Sequence, residues 1–304
     1  MGRSVETVHE ITVGQTNVQL THVTKVLWKT KNIRKIDYLN YLMNVSSYML
    51  PFLKNRKLTT IRFPNGIHDE KFYQKNCPEY APTFIKTKME DGIKYIICQD
   101  KATLLWLGNQ SAIEFHIPFS TVGTTKPTEI VFDLDPPSRK DFHLAIEAAL
   151  LLKESFDKLN LISFVKTSGN KGLQVYIPLP DDTFNYEQTR GFTEFMAQYL
   201  IAKEPQWFTT ERLKVNRGKK LYVDYIQHAE GKTIIAPYSL RGNEEALVAT
   251  PLEWKEVTRE LHPEQFPIET TKSRLERGCP FSDFFKAKEQ QPFAKVIELL
   301  LTAK

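Results

Sequence analysis

The order of apolar segments after residue 126 constrains the fold of this chain more than any other feature. Their periodicity predicts strands at residues 129–135, 161–166, 173–179 and 220–227, and helices at residues 139–159 and 186–202. This strand-helix-strand-strand-helix-strand order is the split βαβ, or ferredoxin-like, pattern, in which both helices cover one sheet face and the first and last strands are neighbours. We therefore predict an α/β (α+β) fold with a ferredoxin/RRM-like module at residues 126–304.

Two local signals refine this pattern. Ser138 precedes the first predicted helix and is its expected N-cap, because its hydroxyl can accept a backbone hydrogen bond. Residues 220–227 and 232–236 are expected to form a hairpin around Glu230-Gly231.

The first part of the chain is organised differently. It combines short strands, such as residues 92–99, with one amphipathic helix at residues 35–53. No internal repeat, low-complexity tract or Gly/Ser linker separates it from the rest. We therefore predict a single domain over residues 1–304, in which an N-terminal module of residues 1–125 packs against the module of residues 126–304.

The charge pattern favours a polyanionic partner. Lys and Arg exceed Asp and Glu by 41 minus 36, a net charge of +5, and the first 90 residues are notably basic. Aromatic residues are interleaved with these cations, namely Trp28, Phe63, Phe72 and Tyr73. Cationic and flat side chains together suit nucleic acid, although a solvated helix face is the common alternative.

The cysteine and hydropathy patterns indicate a cytoplasmic protein. Three widely spaced cysteines, Cys77, Cys98 and Cys279, favour neither a disulfide framework nor a Cys-based zinc site. No apolar run reaches the length of a membrane span, and residues 1–6 lack the apolar stretch of a signal peptide. A reducing compartment without membrane attachment is therefore expected.

Two acids mark the end of the strand at residues 129–135. Asp133 and Asp135 alternate with apolar residues and are followed by Pro136-Pro137, which stop the strand. Side chains at i and i+2 share one face, so the two carboxylates repel each other unless a cation lies between them. Mg²⁺ and Mn²⁺ take such oxygen ligands, so a metal site is indicated. An acidic loop start at the sheet rim is the alternative.

A third acid strengthens the prediction of a metal site. Asp224 lies among apolar residues of the last predicted strand, which the split βαβ topology places beside the first strand. Asp224 should therefore lie near Asp133 and Asp135. Three carboxylates on the uncovered face could hold two divalent ions about 3.5–4 Å apart, the arrangement used in phosphoryl transfer.

Several other residues could contact a phosphate. The turn at residues 168–172 offers the Ser168 hydroxyl, two glycines and Lys171, although a simple hairpin turn is the alternative. Arg241 could add a further contact, and alone it would be an ordinary surface arginine. His116 alternates with apolar residues and could face either a cleft or the core.

These motifs occur in an order that resembles one family. They are Leu20-Thr21-His22, Lys25-Val26-Leu27-Trp28, Arg62-Phe63-Pro64-Asn65-Gly66, Phe72-Tyr73-Gln74-Lys75, Asp133-Leu134-Asp135-Pro136, Ser168-Gly169-Asn170-Lys171-Gly172, Asp224-Tyr225 and Ala236-Pro237-Tyr238-Ser239-Leu240-Arg241. Together they are similar to the polymerase domain of bacterial ligase D, the end-joining member of the archaeo-eukaryotic primase superfamily. The resemblance covers nearly the whole chain.

The resemblance implies a template-directed nucleotidyltransferase that prefers ribonucleotides and Mn²⁺ over Mg²⁺ and fills or extends broken DNA ends. It implies that the acids Asp133, Asp135 and Asp224 bind two catalytic ions. It further implies that the incoming NTP is held by His116, Ser168, Lys171 and Arg241. A Ku-type end-binding protein and an ATP-dependent DNA ligase domain are the implied partners, and the nucleoid is the implied location.

The resemblance also implies a surface for DNA ends. Lys25 and Lys35 match positions that grip the 5′-phosphate of a gapped or recessed end. Tyr73, in the place of a family phenylalanine, would stack on the template base, and Arg62 and Lys75 would line the same channel.

Two positions depart from the family pattern. Gln174 stands where a histidine is usual after the lysine-glycine turn, and a glutamine cannot carry positive charge. His228 stands where an asparagine is usual after the third acid. Neither departure touches a predicted metal ligand, so they bear on nucleotide affinity and selectivity.

Two further functions are compatible with these residues. The basic N-terminal part could serve a non-catalytic module that bridges DNA ends. The three acids could instead serve a metal-dependent nuclease. The phosphate-type contacts predicted for the turn at residues 168–172 favour a polymerase over both.

Overall fold

The computed structural model describes residues 8–302, so the polar start at residues 1–6 lies outside the described residues. Two compact units are present. Among the described residues, the first unit contains residues 8–117 and 235–247, and the second contains residues 118–234 and 248–302. The backbone thus leaves the first unit after Ile117 and returns to it for thirteen residues at Ile235–Leu247. The single domain of residues 1–304 with modules divided at residue 125 stays a prediction.

The strands of residues 8–302 are short, and most lie in two larger sheets. In chain order they are β1 (His9–Val13), β2 (Thr16–Leu20), β3 (Val26–Trp28), β4 (Ile33–Arg34), β5 (Thr59–Arg62), β6 (Phe72–Gln74), β7 (Thr87–Glu90), β8 (Ile93–Ile96), β9 (Ala112–Pro118), β10 (Glu129–Asp135), β11 (Phe164–Thr167), β12 (Leu173–Pro178), β13 (Phe208–Thr209), β14 (Leu221–Val223), β15 (Thr233–Ile235) and β16 (Pro251–Leu252).

The α-helices of the same residues include three long ones, α1, α3 and α4. They are α1 (Lys35–Leu53), α2 (Lys101–Asn109), α3 (Phe142–Lys158), α4 (Tyr186–Lys203), α5 (Thr271–Leu275), α6 (Phe284–Ala287) and α7 (Phe293–Thr302). None of the helices among the described residues has both the length and the apolar composition needed to span a bilayer.

The second unit is built on a six-stranded sheet with the order β13-β14-β10-β12-β11-β16. Its four central strands run antiparallel, and β10 pairs with β14, so the first and last strands of the predicted pattern are neighbours. The predicted ferredoxin-like order is therefore present. The strands β13 and β16 extend the sheet at its two edges.

One face of this sheet is covered by helices α3 and α4. Ile130, Phe132 and Leu134 of β10 share a buried cluster with residues of both helices, such as Leu152 and Phe192. Each fully buried large apolar side chain contributes about 1.5–3 kcal/mol. Because successive strand residues point to opposite faces, this packing directs Asp133 and Asp135 away from the helices.

The first unit contains β5, β6 and nearly all of β9, which belong to a four-stranded sheet with the order β15-β9-β5-β6, and it contains the helix pair α1 and α2. The helix α1 occupies the residues predicted from its apolar periodicity. The two helices approach closely at Gly108, where an added Cβ would lie 2.4 Å from Cδ1 of Leu42. A larger residue at this crossing would displace the buried leucine side chains of α1.

Two local predictions were wrong. Residues 220–227 and 232–236 do not form a hairpin, because β14 belongs to the six-stranded sheet and β15 to the four-stranded sheet. The strand β14 ends at Val223, since Oδ1 of Asp224 accepts the backbone N–H of Gln227 at 3.0 Å and starts a 3-10 turn.

The second error concerns the start of helix α3. A 3-10 turn at Arg139–Asp141 precedes the helix, and the Ser138 hydroxyl donates to Oδ2 of Asp141 at 2.6 Å. Ser138 therefore does not cap the helix through a backbone hydrogen bond.

Candidate active site

The structure brings the three predicted carboxylates together at one end of the six-stranded sheet. Asp133 and Asp135 lie on the face of β10 that α3 and α4 leave uncovered. The antiparallel register pairs Leu134 with Val223, the last residue of β14, so Asp224 comes directly after the paired residues. The Asp224 carboxylate is near enough to Asp133 to act on its charge.

The electrostatics of Asp133 reflect this crowding. The pKa of Asp133 is raised to about 6, because burial and the neighbouring carboxylates of Asp135 and Asp224 outweigh the lowering effects of a Gln174 hydrogen bond and the Lys166 charge. The Asp133 side chain is surrounded by protein atoms on most sides but keeps some accessible surface. An accessible carboxylate with two like-charged neighbours is a poor arrangement without a cation.

Each acid has protein partners. Oδ1 of Asp135 lies 3.2 Å from Nζ of Lys171, which also donates to the carbonyl of Pro136 at 2.6 Å. Oδ1 of Asp224 accepts the hydroxyl of Tyr222 at 3.1 Å. These contacts orient the carboxylates around a common region of the sheet end.

The donor set suits a hard divalent ion, because all three candidate ligands are carboxylates. Within residues 8–302, no three His, Cys, Asp or Glu side chains are already arranged as a metal site. The fit therefore rests on the shared sheet end and on the raised pKa of Asp133.

The turn at residues 168–172 connects β11 and β12 at the same end of the sheet. The Ser168 hydroxyl accepts the backbone N–H of Gly172 at 3.1 Å, and the Ser168 N–H donates to the Gly172 carbonyl at 2.8 Å. An added Cβ at Gly172 would lie 2.3 Å from the carbonyl oxygen of Leu134, so only glycine allows this approach to β10. The turn therefore carries Ser168 and Lys171 to the end of β10.

His116 and Arg241 lie together in the first unit, and a carboxylate that sequence reasoning missed holds both. Oε2 of Glu114 lies 3.0 Å from Nε2 of His116 and 3.3 Å from an Arg241 nitrogen, while Oε1 accepts the Gly242 N–H at 3.0 Å. Burial acts to raise the pKa of Glu114, but these three partners outweigh it and leave the pKa below its ordinary value. The i, i+2 spacing of Glu114 and His116 was the available sequence signal.

The lysines predicted to grip a 5′-phosphate differ in exposure. Nζ of Lys25 donates to the carbonyl of Pro64 at 2.9 Å and keeps part of its surface accessible. Lys35 is buried, and its Nζ donates to the carbonyls of Thr21 and Asn109, both at 2.8 Å. Lys25 is therefore the more accessible cation of the two.

The remaining residues predicted to bind DNA lie on or beside β5 and β6. Tyr73 is 69% exposed, Lys75 is exposed, and the Arg62 guanidinium lies 5.1 Å from the ring of Phe72. Arg62 also donates to the carbonyl of Gln110 at 2.7 Å.

The aromatic residues of the basic region divide into two classes. Trp28 and Phe63 are fully buried, whereas Phe72 and Tyr73 are on the surface. Only the second pair presents a flat side chain to a ligand.

The two departures from the family pattern lie in different surroundings. Gln174 donates to Oδ1 of Asp133 at 3.0 Å and thus belongs to the acid site. His228 is buried, and Nε2 lies 3.0 Å from the Thr189 hydroxyl. Burial lowers the pKa of His228 to about 4, so this residue is a neutral part of the core.

Comparison with known sequences gives consistent matches. A family model described as "LigD, primase-polymerase domain" matches residues 34–281. The bifunctional non-homologous end joining protein LigD of Bacillus subtilis is 49% identical over 93% of this chain and 46% of that protein. The multifunctional non-homologous end joining protein LigD of Mycolicibacterium smegmatis is 32% identical over 79% of this chain and 32% of that protein. The chain therefore spans less than half the length of these relatives.

A solved structure is also similar. The polymerase domain of Mycobacterium tuberculosis ligase D in complex with DNA matches with a TM-score of 0.81 and 29% sequence identity. The match covers 90% of this chain and 99% of that chain. The resemblance and the fold class predicted from the sequence are confirmed.

Proposed function

Since this chain belongs to the LigD primase-polymerase domain family, we propose that it extends the 3′ ends of gapped or broken DNA by template-directed addition of nucleotides, with ribonucleotides preferred. Domains of this family are nucleotidyltransferase-type polymerases. The single observation that carries the proposal is the convergence of Asp133, Asp135 and Asp224 on one uncovered sheet end.

The three carboxylates would hold two divalent ions, Mn²⁺ or Mg²⁺. When bound, such ions supply Lewis-acid stabilisation of the attacking 3′-hydroxyl oxygen and of the charge on the transferred phosphate. Asp133 would contribute most to this site, because its buried carboxylate gains most from a neighbouring cation. The protein groups around it fix the orientation of the ligands.

The incoming NTP would be held by the four side chains that the resemblance implies, His116, Ser168, Lys171 and Arg241. Lys171, which pairs with Asp135 in the structure, would shift its ammonium to a phosphate oxygen once a cation takes its place. Ser168 would offer its hydroxyl from the turn. Arg241 and His116 would donate to the triphosphate while Glu114 holds both in a fixed orientation.

The DNA end would be bound by cations and one aromatic side chain of the first unit. Lys25 would contact the 5′-phosphate, and Tyr73 would stack on the template base. Arg62 and Lys75 would line the path of the backbone. The phosphate contact expected of Lys35 stays a prediction, and it requires that Nζ leave its two carbonyl partners.

The cellular role follows from the relatives. Their names describe non-homologous end joining, so we propose that this chain acts in that process on DNA in the cytoplasm, at the nucleoid. A Ku-type end-binding protein and an ATP-dependent DNA ligase domain are the proposed partners.

A primer-extension assay tests the proposal. The substrate is a 5′-phosphorylated gapped duplex with a labelled primer. The extent of primer extension is compared between rNTP and dNTP, and between Mn²⁺ and Mg²⁺. We expect extension by the wild-type chain and none by Asp133→Ala or Asp224→Ala, while both variants still bind the duplex. Continued extension by either variant would remove the proposed mechanism.

The same assay separates the other two functions. Shortening of the primer in Mn²⁺ without NTP would instead indicate a nuclease. An end-bridging module would be indicated by a different result. The wild-type chain would then give no extension, and binding of DNA ends would be lost in Lys25→Ala combined with Lys35→Ala but not in the acid variants.

A further inference from the structure

A row of three polar side chains crosses the centre of the six-stranded sheet. Asp133 of β10 is in register with Gln174 of β12, and Gln174 is in register with Lys166 of β11. Residues in register on neighbouring strands share a face, so all three lie on the face that α3 and α4 leave uncovered. Sequence reasoning singled out the first two residues and missed Lys166.

The side chain of Gln174 forms a hydrogen bond with Asp133, its neighbour in this row. Its side chain is 3% exposed, and Nε2 donates to Oδ1 of Asp133 at 3.0 Å. Its Oε1 is buried and accepts no hydrogen bond from any of residues 8–302. A buried acceptor left unsatisfied costs about 1–3 kcal/mol, so this end of the Gln174 amide lowers the stability of the fold.

Lys166 supplies a cation on the other side of Gln174. It is fully buried, and its Nζ donates to the Thr167 carbonyl at 3.3 Å and lies 5.8 Å from the centre of the Tyr176 ring. A buried ammonium requires compensating charge or dipoles. The charge of Lys166 acts on Asp133 across the intervening glutamine.

These contacts have a geometric consequence. The Asp133 carboxylate can rotate about its terminal torsion, and a hydrogen bond from a fixed neighbour selects one orientation. The Gln174 side chain can hold Asp133 in this way only if the plane of its own amide is held in one orientation. With Nε2 directed at Asp133, a positive charge on the other side of Gln174 favours this amide orientation over the flipped one, even without a hydrogen bond to Oε1, and Lys166 is the cation in register there.

We propose that Gln174 and Lys166 are positioning residues for the Asp133 carboxylate: Gln174 sets its orientation through the hydrogen bond from Nε2, and the charge of Lys166 on the other side of Gln174 favours the amide orientation that directs Nε2 to Asp133. This inference rests on the proposed function, because it concerns the metal site formed by Asp133. It assigns Gln174 to the acid rather than to the triphosphate. The residue that departs from the family pattern thus acts on the metal ligand.

The test measures Mn²⁺ affinity directly, by electron paramagnetic resonance of free Mn²⁺ during titration of the chain at one pH and without nucleotide. Gln174→Met keeps the length of the side chain and removes both polar atoms. We expect it to weaken Mn²⁺ binding by about tenfold or more, which is typical for loss of a group that orients a ligand. Lys166→Met should weaken binding less, and Lys166→Arg should restore part of the loss.

Steady-state kinetics give a second readout. At saturating Mn²⁺, the KM for NTP of Gln174→Met should match the wild type, whereas the Mn²⁺ concentration needed for half-maximal extension should rise. A raised KM for NTP with unchanged Mn²⁺ affinity would place Gln174 on the triphosphate and overturn the inference.

Controls keep the two proposals apart. Lys158→Met removes a lysine of the same unit that is exposed at the end of α3 and should leave Mn²⁺ binding unchanged. If Asp133→Ala binds Mn²⁺ as the wild type does, the proposed metal site fails. If Asp133→Ala loses Mn²⁺ binding but the folded variants Gln174→Met, Lys166→Met and Lys166→Arg all keep wild-type affinity for Mn²⁺, only the positioning inference fails. Should Lys166→Met not fold, Gln174→Met alone decides.

Discussion

Two carboxylates of this chain, Glu114 and Asp133, lie in opposite electrostatic surroundings. Glu114 in the first unit is held by His116, Arg241 and the Gly242 N–H, which outweigh the effect of burial and lower its pKa. Asp133 in the second unit is buried near two other carboxylates, and its pKa is raised to about 6. The first site is complete with protein groups alone, whereas the second gains from an added cation. The difference separates a structural carboxylate from a candidate metal ligand.

The largest expected effect is on the rate of primer extension, which should depend on Asp133 far more than on Glu114. We expect Asp133→Asn to lower the rate of primer extension by about 10³-fold or more, equivalent to about 4 kcal/mol, because the amide loses the charge that binds the ion. Glu114→Gln should retain activity within about tenfold, since Glu114 orients His116 and Arg241 without contacting the reacting atoms. Equal losses in the two variants, measured in one extension assay, would erase the distinction.

The free energy of unfolding should depend more on Glu114 than on Asp133. Glu114→Ala removes the partner of two cationic or polar groups and of a backbone N–H, and we expect a loss of about 3 kcal/mol in the free energy of unfolding. Urea denaturation in the presence of a chelator measures this loss. The exposed ion pair of Glu154 and Lys158 provides the control, because Glu154→Ala should have no measurable effect.

Added Mn²⁺ should stabilise the second unit through Asp133. At 100 times the dissociation constant, a ligand that binds only the folded state adds about 2.7 kcal/mol. We expect thermal denaturation to show this gain for the wild type and for Glu114→Gln, and little gain for Asp133→Asn. An equal shift of Tm in all three proteins would indicate that Mn²⁺ binds elsewhere.

The pH dependence of the metal-free chain should have opposite signs at the two carboxylates. The raised pKa of Asp133 means that its contribution to stability falls as the pH rises from about 4 to about 6. The shift corresponds to at most about 3 kcal/mol, and to about 2 kcal/mol once the partial accessibility of the side chain is considered. The lowered pKa of Glu114 means that its contribution is present above its ordinary pKa and is lost on acidification.

Chelator-treated protein, unfolded in urea at several pH values, checks these signs. The free energy of Asp133→Asn minus that of the wild type should increase between pH 4 and pH 6. The same difference for Glu114→Gln should become more negative as the pH rises. Parallel profiles would contradict the contrast.

The sequence predicted the parts of the fold that depend on periodicity. Helix α1 occupies residues 35–53 as expected, because its apolar stripe recurs at helical spacing. The adjacency of β10 and β14 follows from the split βαβ order, and this adjacency brings Asp224 to Asp133. These inferences needed only local pattern and topology.

The sequence did not predict features that depend on distant partners. From the sequence, Glu114 and Lys166 are ordinary strand residues. Their roles depend on the contact of Glu114 with Arg241 and on the register of Lys166 with Gln174, which only the structure shows. The expected hairpin after Asp224 fails because a side-chain hydrogen bond to Gln227 competes with the strand. A polar residue near a turn can end a strand, and periodicity alone does not show it.

The return of the backbone to the first unit at residues 235–247 has a practical consequence for dissecting the molecule. The Ser239 hydroxyl accepts the N–H of Phe115 at 2.9 Å, and the Tyr41 hydroxyl donates to the Tyr238 carbonyl at 2.7 Å. A fragment truncated after residue 125 would therefore lack a piece of its own interior together with Arg241. Excising either unit as an autonomous protein requires three cuts, after residues 117, 234 and 247, and one new join between its two segments.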